Sequence, residues 1–215
     1  MMKSLKQQFG CQIQARGCDI GTVEDFLFDD RTWRIRFLVV DPEPRLGERP
    51  ILLPPESFAP ASDDGRRGLT LRGETAAVDN APTFEEYRPL FLRPSAAPRL
   101  LYLGGGEFLW AESVPRAAWR SRTWSGEDPH LRSVREIIGY SIQGSDCRIG
   151  RVRDLLVNGQ NWKIGALCLA LSRRARNQLR LIPADKVCCL SWFEATVEVE
   201  ATCSEIEHFE PFPQG

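Results

Sequence analysis

The chain has little of what catalytic and membrane proteins usually display. It holds two histidines, His130 and His208, and neither stands at metal-ligand spacing from the other or from a cysteine pair. No GxSxG, HExxH or CxxC motif occurs, so no nucleophile, base and acid are brought together by a known signature, and the sequence is read as non-enzymatic, without metal or cofactor. No apolar run approaches the roughly 20 residues that cross a bilayer. The N-terminal stretch MMKSLKQQFGCQIQ lacks the apolar centre of a signal peptide, so a cytoplasmic protein without a membrane span is expected. The net charge of −1, from 28 basic and 29 acidic residues, lacks the basic excess of a nucleic-acid binder. Seven cysteines, scattered and odd in number, suit reduced, inert thiols better than a disulfide framework. The adjacent Cys188 and Cys189 point to opposite faces of an extended segment, which leaves redox or soft-metal chemistry as the lesser reading.

What the chain does contain is one stretch twice. Ile20 to Asp41 reads IGTVEDFLFDDRTWRIRFLVVD and Ile149 to Ala170 reads IGRVRDLLVNGQNWKIGALCLA, at a constant offset of 129 positions. Ile20, Gly21, Val23, Asp25, Leu27, Trp33, Ile35 and Leu38 recur as Ile149, Gly150, Val152, Asp154, Leu156, Trp162, Ile164 and Leu167. Gly10, Ile13, Gln14, Arg45, Leu52 and Pro54 recur as Gly139, Ile142, Gln143, Arg174, Leu181 and Pro183, which brings these pairs to 14 over the 54 positions from Leu5 to Phe58. Random pairing would give about three or four. An internal duplication is therefore expected, with repeat units at 1–82 and 130–215 and a connecting segment at 83–129.

Each unit reads as a run of short strands. A β-rich stretch with a glycine inside it (Gly21, Gly150) implies a bulge or a close backbone approach. Turn residues follow, Asp29-Asp30-Arg31-Thr32 in one copy and Asn158-Gly159-Gln160-Asn161 in the other, and then a strand opened by Trp33 or Trp162 makes a hairpin. Alternation places Trp33, Ile35, Phe37 and Val39 on one face and Arg34 and Arg36 on the other, with Leu38 and Val40 joining the arginine face. Trp33 and Trp162 are read as core residues that close a barrel. Pro54 and Pro183 end the next short strand, because proline cannot donate to a ladder. Short helical turns are expected at Glu74 to Val78 and at Ser204 to Glu207, and a last strand from Trp192 to Val199.

Among candidate sites, Asp25 and Asp154 lie between apolar neighbours, where a carboxylate accepts backbone or tryptophan N–H bonds in a structural role. Glu24/Asp25 and Asp29/Asp30 lack the spaced oxygens of a calcium loop and read as a solvated strand edge and a turn. Gly104-Gly105-Gly106 lacks the following GK[ST] of a phosphate loop. The connecting segment carries Trp110, Trp119 and Trp124 among Arg116, Arg120 and Arg122, too aromatic for a disordered linker, and is expected to be ordered. With Arg173, Arg174 and Arg176, beside Arg180, these residues make the candidate interaction surface.

IGxVxDFLFDD, then a strand from tryptophan to LVVD, then ILLPPESF, in two copies, resembles the PRC-barrel domain. This is the small β-barrel of the cytoplasmic part of the photosynthetic reaction-centre H subunit and of the C-terminal part of a ribosome-maturation factor. His130-Leu131-Arg132-Ser133 and Gly139-Tyr140-Ser141-Ile142 are similar to the start of the second copy in bacterial tandem PRC-barrel proteins. The second copy departs from the family pattern at its Asn158-Gly159 turn and at Cys147, which follows Asp146 where glycine is usual. The resemblance implies an all-β protein of two small barrels joined by an ordered, aromatic-rich segment. It also implies a protein-contact or assembly role, with a protein partner or a second copy of the chain. Nucleic acid, reached through Arg173 to Arg180 by analogy with the ribosome-maturation relative, is the alternative partner. A small-ligand or redox sensor is the third reading.

Overall fold

The computed structural model of the chain describes residues 2–44, 46, 49–59, 68–72, 81–82, 101–103, 107–109, 130–171 and 179–212. The strands of the first half are β1 (Met2–Ser4), β2 (Gln12–Ala15), β3 (Cys18–Asp29), β4 (Arg34–Pro42), β5 (Ile51–Leu53) and β6 (Gly68–Thr70). A two-stranded ladder, β7 (Leu101–Leu103) with β8 (Glu107–Leu109), follows. The second half holds β9 (Leu131–Ser133), β10 (Ser141–Gln143), β11 (Arg148–Asn158), β12 (Ile164–Leu171), β13 (Leu179–Pro183), β14 (Val187–Ser191) and β15 (Thr196–Val199). Two short helices, α1 (Val134–Ile137) and α2 (Cys203–Glu207), complete the set. α2 is the expected helical turn, opened by a capping box between Thr202 and Glu205. The turn expected at 74–78 lies outside the described residues.

The two main sheets share one plan. The first runs β5-β4-β3-β2-β6 and the second β13-β12-β11-β10-β15-β14. Neither order returns to its first strand, so among the described residues the sheets are open rather than the closed barrels expected. In each, the strand on one edge is followed by a 3-10 turn, Pro55–Ser57 or Ala184–Lys186. That turn carries the chain back to the far edge, where Phe58 bridges Leu71 and Val187 pairs with Val199. β14 was not foreseen, and the strand read from Trp192 is confined to Thr196–Val199 because Trp192 to Ala195 form a turn.

Bulges recur at the same offset. In β3·β4 the pairing slips between Val23 and Asp25 and again between Leu27 and Phe28; in β11·β12 it slips between Val152 and Asp154 and between Leu156 and Val157. Each slip inserts one residue and reverses which face follows. The expected alternation along β4 is corrected accordingly: Ile35, Leu38 and Val40 face one core, while Val39 and Phe37 lie with Leu27, Leu52 and Leu131 on the opposite face. The larger core is continuous and draws on both halves.

Gly21 and Gly150 are close approaches, as their sequence context implied. A Cβ on Gly21, whose φ is +154°, would lie 2.1 Å from the Asp41 carbonyl oxygen, and one on Gly150 would lie 2.1 Å from that of Ala170. Only the partner backbone can give way. Gly21→Ala or Gly150→Ala is expected to destabilise the protein by about 2 kcal/mol or more, read as a lowered denaturation midpoint; an unchanged midpoint would refute the close approach.

The cysteine expectation needs correction. Cys147 and Cys203, 56 positions apart, form a disulfide that ties the start of β11 to α2. Cys18, the counterpart of Cys147, is exposed and free, as are Cys188 and Cys189.

Candidate functional site

The halves are joined by an exchange of arms. β10 covers the first part of one edge of β11, and the last part is covered by β1, with Met2, Lys3 and Ser4 opposite Asn158, Val157 and Leu156. Reciprocally, β2 covers the first part of the matching edge of β3 and β9 the last part, with Leu131, Arg132 and Ser133 opposite Asp29, Phe28 and Leu27. Three-residue strands gain little alone. A buried carboxylate locks each one. Ser133 donates its hydroxyl to Asp25, whose Oδ1 also accepts the N–H of Arg135 at 3.0 Å and of Phe26 at 2.7 Å. Ser4 donates to Asp154, whose Oδ1 accepts Lys6 N–H at 3.0 Å and Leu155 N–H at 2.7 Å. The serines in turn accept Glu136 N–H and Gln7 N–H. The structural reading of Asp25 and Asp154 thus meets backbone N–H partners as expected, with serine in place of tryptophan.

The two tryptophans of the repeat sit where the halves touch, just ahead of β4 and β12 rather than within them. Both adopt left-handed backbone, φ 57° at Trp33 and 54° at Trp162, a conformation uncommon outside glycine. It aims their carbonyls across the junction: Trp162 accepts Ile35 N–H at 2.9 Å and Trp33 accepts Ile164 N–H at 2.7 Å. Trp33 is buried and stacks on Phe28, whereas Trp162 is half-buried beside Phe58. These residues join the two sheets instead of closing a barrel.

Asp29 and Asp30 do not form the solvated turn that was expected. Burial alone would raise the Asp29 carboxyl, but bonds from Thr32 and Arg31 hold it below the usual range. Asp30 forms an ion pair with Arg132, whose Nε lies 2.7 Å away, and contacts His130 Nδ1 at 2.9 Å, and both contacts dock β9. Glu24 reaches Arg135 at 3.9 Å. The one potential metal-ligand group among the described residues, Asp146 with Cys147 and Cys203, has both sulfurs committed to each other.

Two surface features stand apart from this internal bonding. At the turn between β14 and β15, Trp192 is 39% and Phe193 66% exposed, with ring centroids 6.2 Å apart edge to face. The preceding strand is a sheet edge that carries exposed Cys188 and Cys189, and burial pushes the Cys189 thiol up, away from reactive thiolate. The second feature is a groove of about 550 Å³ on the second sheet, whose lining includes Lys6, Arg153, Asp154, Leu179 and Phe212. Its wall includes Cys168, whose thiol burial pushes up to about 11.

Sheet plan, glycine approach and repeated bulges can be set beside known families. Residues 9–75 match the PRC-barrel domain. The match runs from just before β2 to just past β6, so the matched residues comprise the first sheet without its β9 arm. A comparison with curated proteins returned no match.

The structural positions Gly21, Asp25, Trp33 and Pro54 fall within the matched residues, and Gly150, Asp154, Trp162 and Pro183 lie at the same offset in the second half. Trp110, Trp119, Trp124, Arg116, Arg120, Arg122, Arg173, Arg174 and Arg176 lie outside the described residues, as does Gly104-Gly105-Gly106. Arg180 is described, and its guanidinium donates to the carbonyls of Glu207 and Leu179. The Trp192-Phe193 tip was missed. The expected strand from Trp192 to Val199 includes both aromatics, although adjacent residues of a strand cannot both face one core.

Proposed function

We propose that this chain is a non-enzymatic protein-docking module of two PRC-type units that arose by internal duplication, with the second unit at 130–215. The shared offset of sequence, bulges and arm contacts supports the duplication. The observation that carries docking is the Trp192-Phe193 tip. Aromatic side chains held on a hairpin turn present apolar area at low ordering cost, the property that makes such residues interface hot spots. The partner is another protein, or a second copy of the chain, in the cytoplasm.

The test is a crosslinked pull-down with the intact chain and with a Trp192→Ser/Phe193→Ser variant, at low salt and at about 0.5 M salt. A specific protein recovered by the intact chain at both salts and lost by the variant is expected, and Phe193→Ser alone, at the more exposed ring, should weaken recovery with the melting temperature unchanged. Equal recovery by both chains would sink the tip as the contact. Ribosomal RNA recovered only at low salt would favour the alternative in which Arg173, Arg174 and Arg176 contact RNA.

A further inference from the structure

The groove on the second sheet differs from its counterpart on the first in a direction that names a ligand. At the matching place on the first sheet, Arg135 stands against Glu24, 3.9 Å away, and Asp41 and Val39 occupy the neighbouring register positions. On the second sheet Lys6 replaces Arg135, Arg153 replaces Glu24, Ala170 replaces Asp41 and Cys168 replaces Val39. The exchanges of Glu24 and Asp41 shift the local charge by three units toward positive. Neither Lys6 nor Arg153 has an ion-pair partner among the described residues. The remaining carboxylate, Asp154, is occupied by Ser4 and two backbone N–H groups.

Besides the two cations, Ser4, Gln7 and Asp154 give the groove a polar part, and the rest of its lining is apolar. Ala170, Leu179 and Phe212 line it, and Phe212 is fixed there by its N–H bond to the Leu179 carbonyl at 3.1 Å. Ala170 and Cys168 carry smaller side chains than Asp41 and Val39 and line a space of about 550 Å³, within the range of small-ligand sites. Two cations without ion-pair partners and an apolar set of Ala170, Leu171, Leu179 and Phe212 lining one groove are complementary to a charged head on a hydrophobic body. The geometry points to a binding site for a small amphipathic anion, a carboxylate or phosphate monoester on an apolar chain, with its head between Lys6 and Arg153 and its body along Leu179 and Phe212. This site is separate from the Trp192-Phe193 tip and stands whether or not that tip docks a protein.

Calorimetric titration of the full chain with decanoate and with decyl phosphate, below their micelle concentrations, tests it, with decanol and inorganic phosphate as controls. Saturable one-to-one binding of at least one anion is expected, with each control weaker by about tenfold or more, since each lacks one half of the complementarity. The tighter of the two anions identifies the head group. Arg153→Glu restores the first sheet's residue and is expected to weaken binding by about tenfold or more. Cys168→Val, which refills the floor with the first sheet's side chain, is expected to weaken it too. Lys6→Gln alters only an exposed side chain and serves if Arg153→Glu fails to fold. The absence of saturable binding by both anions, or unchanged affinity in whichever charge variant folds, overturns the site.

Discussion

Asp25→Ala is expected to lower stability by about 3 kcal/mol or more, and the melting temperature of a chain this size by about 6–12 °C. The substitution strands three donors at once, the Ser133 hydroxyl and the N–H groups of Phe26 and Arg135, in a place where water does not replace the lost acceptor. Asp25→Asn is the informative companion. Its carbonyl oxygen can keep both N–H bonds and its amide can donate to Ser133, so a loss within about 1 kcal/mol is expected at neutral pH.

The two variants also part on pH. Burial pushes the Asp25 carboxyl above its ordinary 3.8, against hydrogen bonds from Ser133, Arg135 and Phe26 that pull it down. With the folded value above the unfolded one, protonation favours the folded chain. Asp25's contribution is therefore fullest below 3.8 and is lost as pH rises through the folded value. Denaturant titrations across this window should show that loss in the parent and not in Asp25→Asn. A parallel pH profile for both proteins would mean that Asp25 is not the desolvated group described.

Separating the halves should have a still larger effect. When the chain is cut between residues 90 and 125, neither fragment is expected to unfold cooperatively as a monomer, and mixing the two should restore a single transition. Each sheet takes a strand from the other half, and the larger core spans both. The Trp33 and Trp162 carbonyls also lose their acceptor roles together. Small units of this size bury only about 60% of their unfolded surface even when complete. Circular dichroism and analytical ultracentrifugation of each fragment and of the mixture decide it, and a stably folded monomeric fragment would refute the interdependence.

Much of this arrangement was legible because it was local or repeated. The Asn158-Gly159 turn, the glycines facing a neighbouring backbone and the carboxylates between apolar residues each state their environment within a few positions. The duplication register also pairs Ser4 with Ser133 and Cys18 with Cys147. What escaped was non-local. Met2–Ser4 and Leu131–Ser133 are too short for any periodicity, and their partners lie more than 100 positions away in sequence. A one-residue bulge beside Asp25 reverses every later face of the strand without an unusual residue to announce it. The pairing of Cys147 with Cys203 depends on where α2 folds back, which spacing alone does not encode.

The arm exchange also sets a clock during synthesis. Residues 27–29 leave the ribosome more than 100 residues before the strand that completes their edge, residues 131–133. At roughly 5–20 residues per second that edge stays open for roughly 5–20 s. Throughout this interval residues 27–29 of β3 carry unpaired backbone groups along one edge, the form of surface that pairs with other chains. A neighbouring copy on the same message already displays Met2–Ser4, whose Ser4 matches the Ser133 that Asp25 awaits. Completion of the first sheet therefore waits on translation of the second half, although every other strand of that sheet is already made.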